Sequence, residues 1–336
     1  MSAITSDAGL SLLAPLRPRC ATILMLHRFA VPALGVRGHD PAVLAKHLEY
    51  LRHRRYRLMS LMELLNQLDE RMPIKENSLV FTVDDGYADF ATVAAPVFAA
   101  YDCPVTVFLV TDFVSGRMWN LFDRVEWALV QTPHHEITLD VPGETIRLRW
   151  ARPADRQSAS EKLIERLKGL KDSAKETSIR NLAQKLEVDI PETVPEQYQA
   201  MSWNQVLACA RHQVTFGPHT VTHPVLTRVD ANRVEYEISE SWRAVATATD
   251  AAVPVFCYPN GTALDFSSRE KVNVERAGMV AALSAIEGCI ESSGHGRADP
   301  DRYALPRFAY SERHSRFVQI ASGLEARKAR IRGLFS

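Results

Sequence analysis

Two adjacent carboxylates, Asp84 and Asp85, are the residues of this chain best placed to do chemistry. They directly follow the apolar run 78–83 and precede Gly86. This order is typical of a buried strand that delivers polar side chains to the point where the chain turns. Neighbouring like charges repel, so the pair costs free energy unless a cation or a shared proton relieves the repulsion. A solvated Asp-Asp-Gly turn is the alternative interpretation.

Two histidines, His219 and His223, form the second candidate feature, after the apolar segment 213–216 and Gly217. Their spacing predicts two imidazoles on one face of a helical turn, at the same rim as the aspartates. Two imidazoles and one carboxylate make a facial metal site with open positions, suited to zinc or another borderline divalent ion. A pair of surface histidines is the alternative.

The combined pattern predicts a different role for each of the two aspartates. One would ligate the metal together with the histidines, and the other would remain free as a general base. A metal at this position would lower the pKa of a water molecule and polarise a carbonyl group, chemistry that suits the hydrolysis of an amide or ester.

Alternating apolar strands and amphipathic helices must position these residues. Strands are predicted at 22–27, 78–83, 104–110, 213–216, 253–258 and 280–283, and helices at 41–54, 60–68, 88–101, 203–211, 230–249 and 267–277. This alternation predicts a parallel α/β fold. Ser60 is expected to cap the second helix, with Glu63 completing a capping box.

Residues from about 115 to 200 interrupt the α/β rhythm, because they are polar and rich in helical patterns. A hairpin is predicted to pair 137–139 with 146–148 across a Pro-Gly turn. We interpret the stretch as a mostly helical insertion into a single catalytic domain at 20–336, preceded by a short N-terminal segment at 1–19.

Bulk composition narrows the class of protein. Lys plus Arg and Asp plus Glu both number 40, so the net charge is zero and neither nucleic acid nor an anionic membrane is an expected partner. The five cysteines are scattered singly and form neither a disulfide framework nor a thiolate metal site. No apolar run is long enough for a transmembrane segment, and the first residues lack the pattern of a secretory signal. A cytoplasmic location is expected.

The segments 82–87 (Thr-Val-Asp-Asp-Gly-Tyr) and 219–224 (His-Thr-Val-Thr-His-Pro) resemble motifs of the polysaccharide deacetylases, the NodB-homology group of carbohydrate esterase family four. The resemblance covers roughly 20–112 and 200–310. It implies a distorted (β/α) barrel that removes N-acetyl or O-acetyl groups from sugars with a bound divalent metal. Zn²⁺ is the expected ion, with Co²⁺, Ni²⁺ or Fe²⁺ as alternatives.

Carried over to this chain, the resemblance makes Asp84 the general base and makes Asp85, His219 and His223 the metal ligands. The family's general acid is a histidine in a C-terminal Leu-x-His motif, which has no counterpart here. The segment 24–29 instead resembles the N-terminal motif of the biofilm-type deacetylases, which makes His27 the expected general acid. A capped core histidine is the alternative for His27.

The third family motif, Arg-Pro-Pro-Tyr-Gly, is replaced by Phe-Cys-Tyr-Pro-Asn-Gly at 256–261, so Cys257 stands at the arginine position. The backbone N–H of Asn260 is the expected donor to an oxyanion. Arg307 is a candidate to replace the arginine that orients Asp84, and a surface ion pair is the equal alternative. Tyr258 and Trp119 are candidate sugar contacts, although aromatic residues at such positions usually pack in the core.

The sequence thus predicts a metal-dependent deacetylase of an acetylated sugar or oligosaccharide, active in surface polysaccharide biosynthesis or modification. Two alternatives stay open. The replaced motif around Cys257 leaves room for hydrolysis of a non-sugar amide or a cyclic imide. The second alternative is a non-catalytic glycan-binding relative, although the complete set of aspartates and histidines argues against it.

Overall fold

The computed structural model describes residues 19–291 and 300–325. Of the predicted N-terminal segment 1–19, all but the last residue lies outside the described part of the chain, as does the end of the predicted domain beyond residue 325.

Strands and helices alternate along most of the described chain. The strands are β1 (Cys20–Leu26), β2 (Arg57–Leu58), β3 (Ser78–Val83), β4 (Val105–Leu109), β5 (Glu136–Val141), β6 (Glu144–Arg149), β7 (Val214–Pro218), β8 (Val255–Cys257), β9 (Ala281–Leu283), β10 (Ile290–Glu291) and β11 (Phe308–Ala309). The α-helices are α1 (Pro41–His53), α2 (Leu61–Asp69), α3 (Ala95–Ala100), α4 (Thr111–Val114), α5 (Leu121–Gln131), α6 (Pro153–Lys168), α7 (Asp172–Lys185), α8 (Trp203–Cys209), α9 (Ala231–Ala248), α10 (Ser268–Arg276) and α11 (His314–Ala321).

A parallel sheet forms the centre of the fold, with β1, β3, β4 and β7 side by side in that order. On the far side of β1, β11 pairs in parallel and β10 pairs antiparallel. The predicted parallel α/β architecture is therefore confirmed.

The strands are arranged as a ring, but their hydrogen-bonded ladders are interrupted at two places. The strands β8 and β9 form a separate parallel pair. Isolated parallel bridges join Phe216 to Ala252, just before β8, and Leu283 to Leu305, just before β11. Since β11 pairs with β1, these bridges complete the circuit of a distorted barrel.

Neighbouring residues along the central strands pack into two different apolar clusters, because side chains alternate between the two faces of a strand. Ile23 and Val80 join residues of β8 and β9, while Leu24 and Phe81 join the helical layer that includes α1. The barrel is thus apolar on both sides, which explains the continuous apolar runs of its strands.

Two local predictions need correction. Ser60 does cap α2, since its Oγ accepts a hydrogen bond from the Glu63 N–H at 3.1 Å, but the Glu63 carboxylate pairs with Arg57 and does not complete a capping box. The helix predicted at 88–101 begins as a π-helix at Phe90–Ala94 and continues as α3. Pro96 lies at the junction and has no N–H to donate, so a regular α-helical ladder cannot pass through it.

The stretch 115–200 has an apolar cluster of its own, built from α5, the β5–β6 hairpin, α6 and α7. The predicted hairpin is confirmed, with Ile137 opposite Leu148 and Leu139 opposite Ile146. Gly143 turns the chain between the strands at a φ of 91°, a conformation that glycine adopts readily.

No helix within residues 19–291 and 300–325 has both the length and the hydrophobicity that crossing a bilayer requires.

Gly217 in β7 marks a close approach of two strands below the histidine loop. A Cβ added there would lie 2.6 Å from the Phe108 ring and 2.6 Å from the Val255 carbonyl oxygen. We expect Gly217→Ala to lower the free energy of unfolding by about 1–3 kcal/mol, because the strand must shift to relieve the overlap. Gly169→Ala is the matched control, since its Cβ would meet only a carbonyl oxygen at 3.6 Å. Urea unfolding measures both variants, and equal stabilities would contradict the assigned packing.

Candidate metal and catalytic site

The chemically interesting residues meet at the rim where the parallel strands end. Asp84 and Asp85 follow β3, and His219 follows β7. His27 follows β1, and Asn260 lies in the loop after β8. Because the carboxyl ends of parallel strands share one edge of the barrel, residues far apart in sequence come together there.

Asp85 and the two histidines converge on one point. The Asp85 Oδ1 lies 3.6 Å from His219 Nε2 and 3.4 Å from His223 Nε2. This oxygen is buried and has no hydrogen-bond partner among the described residues. A buried carboxylate oxygen without a partner is costly, and a cation held between it and the two imidazoles would remove that cost.

The protonation of the histidines suits metal binding. His219 Nδ1 lies 2.7 Å from the Cys257 carbonyl oxygen, which can only accept, so Nδ1 carries a proton and Nε2 is the nitrogen that faces Asp85. Burial lowers the pKa of His223 to about 3, even though Asp85 opposes the shift. The Nε2 atoms of both rings therefore face the Asp85 oxygen, and the three residues fit a divalent metal.

A second group of potential ligand atoms, from Asp84, His219 and Cys257, also lies close together. Its chemistry is less favourable for a metal. Both oxygens of Asp84 are occupied by Arg307, and burial raises the pKa of the Cys257 thiol well above its usual value. Since a thiol binds metals as the thiolate, Asp85, His219 and His223 form the better site.

The histidines reach this point from a loop, so the predicted helical turn is wrong. Thr220 and His223 have left-handed backbone conformations, with φ of 70° and 57°. His223 also precedes Pro224, whose ring disfavours the right-handed helical conformation at the preceding residue. The Thr220 Oγ1 accepts a hydrogen bond from the His223 N–H at 3.0 Å, which closes the loop on itself.

Glu237 of α9 stabilises this loop, and the sequence analysis missed it. Its carboxylate accepts hydrogen bonds from the N–H groups of Val221 at 2.7 Å and Thr222 at 2.8 Å, and from the Thr222 hydroxyl at 2.6 Å. The side chain is fully buried and pairs with Arg233 at 2.7 Å. The sequence pattern could have indicated it, because the helical spacing places Glu237 on the mostly apolar, buried face of α9 with Val234 and Ile238.

Arg307 holds Asp84 in a buried two-pronged ion pair. Its two Nη atoms donate to the two Asp84 carboxylate oxygens, each at 2.8 Å. The guanidinium also donates to the Ser284 carbonyl oxygen at 2.8 Å and lies 3.2 Å from the Cys257 Sγ. Both partners are almost completely buried. Of the two alternatives for Arg307, the structure shows the contact with Asp84 rather than a surface ion pair.

This contact decides the charge of Asp84. Burial by itself raises the pKa of the carboxyl group, but the charge and hydrogen bonds of Arg307, with smaller contributions from His219 and His27, lower it well below its usual range. Asp84 is therefore ionised, as a general base must be.

The remaining predicted residues differ in their placement. His27 is half-exposed, with its Nε2 3.8 Å from the Asp84 Oδ2. Asn260 and Trp119 line a cavity of about 450 Å³ that His223 also lines. Tyr258 is not at the site, because its hydroxyl donates to the Tyr303 carbonyl oxygen at 3.0 Å. Its ring also stacks on an aromatic neighbour, so the predicted sugar contact of Tyr258 is wrong.

A buried polar network attaches the 115–200 stretch to this rim. Arg28, next to His27, donates to the Asp89 carboxylate at 2.6 Å and lies 3.9 Å above the Tyr87 ring. The Tyr87 hydroxyl in turn donates to Asp123 of α5 at 2.8 Å. Burial raises the pKa of Asp123 to about 8. The network therefore connects the end of β1, the turn after Asp85 and the inserted helices.

Comparison with known proteins finds a similarity to one family over part of the chain. The polysaccharide deacetylase family model matches residues 177–281, a span that contains His219, His223 and Asn260. The predicted resemblance to the polysaccharide deacetylases is confirmed. No curated protein sequence matches the chain.

Solved structures of deacetylases share the fold. The Streptococcus pyogenes deacetylase PplD has a TM-score of 0.56 at 14% identity, over 92% of this chain and 97% of PplD. IcaB from Ammonifex degensii has a TM-score of 0.53 at 14% identity, over 90% of this chain and 97% of IcaB. The deacetylase domain of BpsB from Bordetella bronchiseptica has a TM-score of 0.51 at 14% identity, over 87% of this chain and 97% of the domain. The predicted barrel of the polysaccharide deacetylase type is thus confirmed.

The role of Glu237 is testable through metal binding. In Glu237→Gln, an amide oxygen that keeps the two loop N–H groups leaves the N–H₂ facing the Arg233 guanidinium, so we expect the loop to shift and the metal affinity to fall by about 10–100-fold. Glu240→Gln on the same helix is the matched control, because Glu240 pairs with the exposed Arg243 and not with the histidine loop. Isothermal titration with Zn²⁺ measures both variants. An unchanged affinity in Glu237→Gln would show that the loop holds its shape without the carboxylate.

Proposed function

We propose that this protein is a metal-dependent deacetylase that removes N-acetyl or O-acetyl groups from a sugar or glycan, in the biosynthesis or modification of a surface polysaccharide. One observation carries the proposal. A buried Asp85 oxygen, without a hydrogen-bond partner in the described part of the chain, faces the Nε2 atoms of His219 and His223, and next to it Asp84 is kept ionised by Arg307. The family match and the shared deacetylase fold support it.

Asp85, His219 and His223 would hold the metal. When bound, such an ion polarises the acetyl carbonyl group and lowers the pKa of a water molecule. We propose Zn²⁺, because two imidazoles and one carboxylate are a common catalytic zinc set that leaves a position open. Co²⁺, Ni²⁺ and Fe²⁺ accept similar donors and are the alternatives.

Asp84 is the proposed general base. Its two oxygens are oriented by Arg307, and Oδ1 also accepts from the Cys257 thiol at 3.6 Å. Oδ2 is therefore the oxygen with a lone pair left to accept a proton from the attacking water. The ion pair also fixes the plane of the carboxylate, so the base does not have to be oriented during the reaction.

The other two residues act on the substrate. His27 is half-exposed beside Asp84, a position from which its imidazole donates a proton to the departing amine or alcohol. The Asn260 loop lines the same cavity as His223, and its backbone N–H donates to the oxyanion that forms from the acetyl carbonyl.

The separate roles of the two aspartates are the first test. We expect Asp85→Ala and His219→Ala to lose both the metal and the activity. Asp84→Asn should keep the metal and lose activity by about 10²–10⁴-fold, because only the base is removed. Metal content by mass spectrometry and acetate release from N-acetylhexosamine oligomers measure the two properties. Mass spectrometry of the products formed from small amides and from a cyclic imide tests the alternative hydrolase.

Asp250→Asn, at an exposed aspartate, is the control for this test and should change neither property. Acetate release by a metal-free Asp85→Ala variant would contradict the proposal. A wild-type protein that binds glycans without releasing acetate would favour the non-catalytic relative.

The contribution of Arg307 is tested by Arg307→Lys. Lysine keeps the charge but cannot form the two parallel hydrogen bonds, so Asp84 loses its fixed orientation. We expect kcat to fall by about tenfold or more while the metal affinity stays the same. Arg302→Lys is the control, since Arg302 makes an exposed pair with Asp69. A wild-type kcat in Arg307→Lys would show that orientation of the base does not limit the reaction.

A further inference from the structure

The cavity beside the metal site is lined mainly by positive side chains. It contains five basic residues and one acidic residue, namely Arg117, Arg124, Lys168, Lys175, Arg233 and Glu176. We call it the cationic cavity. The chain as a whole has no net charge, so this concentration of positive charge is a local feature.

The cationic cavity joins the catalytic rim to the inserted helices. His223 and Asn260 line one side, and Lys168, at the end of α6, lines the other. Phe122 lies between them, because its ring packs against the His223 ring at 5.7 Å and the Lys168 Nζ lies 5.2 Å from its centre. A substrate whose acetyl group reaches the metal ligands would therefore extend toward Lys168.

Lys168 retains capacity to bind an anion, whereas the three arginines already pair with carboxylates: Arg117 with Asp112, Arg124 with Glu176 and Arg233 with Glu237. The partner of Lys168 is Glu165 at 3.7 Å, a carboxylate whose side chain is 76% exposed, and such surface pairs contribute little. An anionic oxygen in the cavity would give the Lys168 ammonium a stronger partner than this exposed carboxylate.

We propose that the cationic cavity binds an anionic group, a phosphate or a carboxylate, that the substrate carries next to the acetylated sugar. The proposal rests on the deacetylase function and specifies its substrate class. An acetylated hexosamine chain is uncharged, so a basic cavity would add little to its binding. The anion has two chemical sources: a uronic acid residue in the glycan, or the phosphate of a sugar phosphate or sugar diphosphate.

Lys168→Met is the variant that tests the cavity. Methionine keeps most of the apolar stem of Lys168 and removes the ammonium that lies over the Phe122 ring. Lys162→Met is the matched control, because Lys162 is exposed on the same helix and does not line the cavity.

The first experiment measures acetate release by the metal-loaded protein from three substrates: a neutral N-acetylhexosamine oligomer, an oligomer that alternates N-acetylhexosamine with uronic acid, and a nucleoside-diphosphate N-acetylhexosamine. We expect kcat/KM to be about tenfold higher for one of the charged substrates than for the neutral one, and the advantage to shrink as salt is added. The charged substrate that is preferred identifies the source of the anion.

In Lys168→Met this preference should fall by about fivefold, through KM, and in Lys162→Met it should not change. Equal kcat/KM values for neutral and charged substrates, or a preference that survives Lys168→Met, would overturn the proposal.

A second experiment separates the cavity from the deacetylase function. Calorimetry measures the binding of inorganic phosphate and of glucuronate to the metal-loaded protein. We expect Lys168→Met to weaken one of them by about fivefold relative to wild type and to Lys162→Met. If no substrate releases acetate but this difference is found, the proposed function fails and the anion site stands. If acetate is released and the difference is absent, the anion site fails alone.

Discussion

The buried ion pair between Arg307 and Asp84 is the interaction on which the site depends. Two opposite charges removed from water are costly unless their geometry is good and their remaining hydrogen-bonding groups are satisfied. Here each Asp84 oxygen receives one guanidinium N–H, and the rest of the guanidinium contacts Ser284 and Cys257. The pair also separates the roles of the two aspartates, because an Asp84 held by arginine leaves only Asp85 to face the histidines.

The metal-ligand geometry depends on backbone conformations that ordinary residues rarely adopt. Asp85, Thr220, His223 and Asn260 all have positive φ, and all four lie at the rim. Such conformations persist only where the surrounding structure imposes them. Glu237 does this for the histidine loop by accepting two of its N–H groups, and Gly217 allows the strand beneath to pack closely. The rigidity of the site is therefore supplied by residues that do not touch the proposed metal.

Features that depend on neighbouring residues could be predicted from the sequence, whereas features that depend on contacts between distant parts of the chain could not. The buried strand that ends at Asp84 and Asp85 is a local pattern, and so is the hairpin at 137–148, and both were predicted correctly. The conformation of the histidine segment was predicted wrongly, because spacing alone cannot distinguish a helical turn from a loop held by a distant glutamate. Glu237 was missed because it acts on residues far away in sequence. For the same reason, a contact of Arg307 with Asp84 and a surface ion pair remained equal alternatives. Tyr258 was misplaced because burial in the core is a property of the whole fold.

The position of Arg307 just before β11 has a consequence for biosynthesis. Asp85, His219 and His223 are all synthesised before Arg307, and this partner of Asp84 arrives only with the strand that pairs with β1 and completes the circuit of the barrel. A nascent chain would thus acquire its proposed metal ligands before its proposed base is oriented. Orientation of Asp84 is therefore coupled to closure of the barrel.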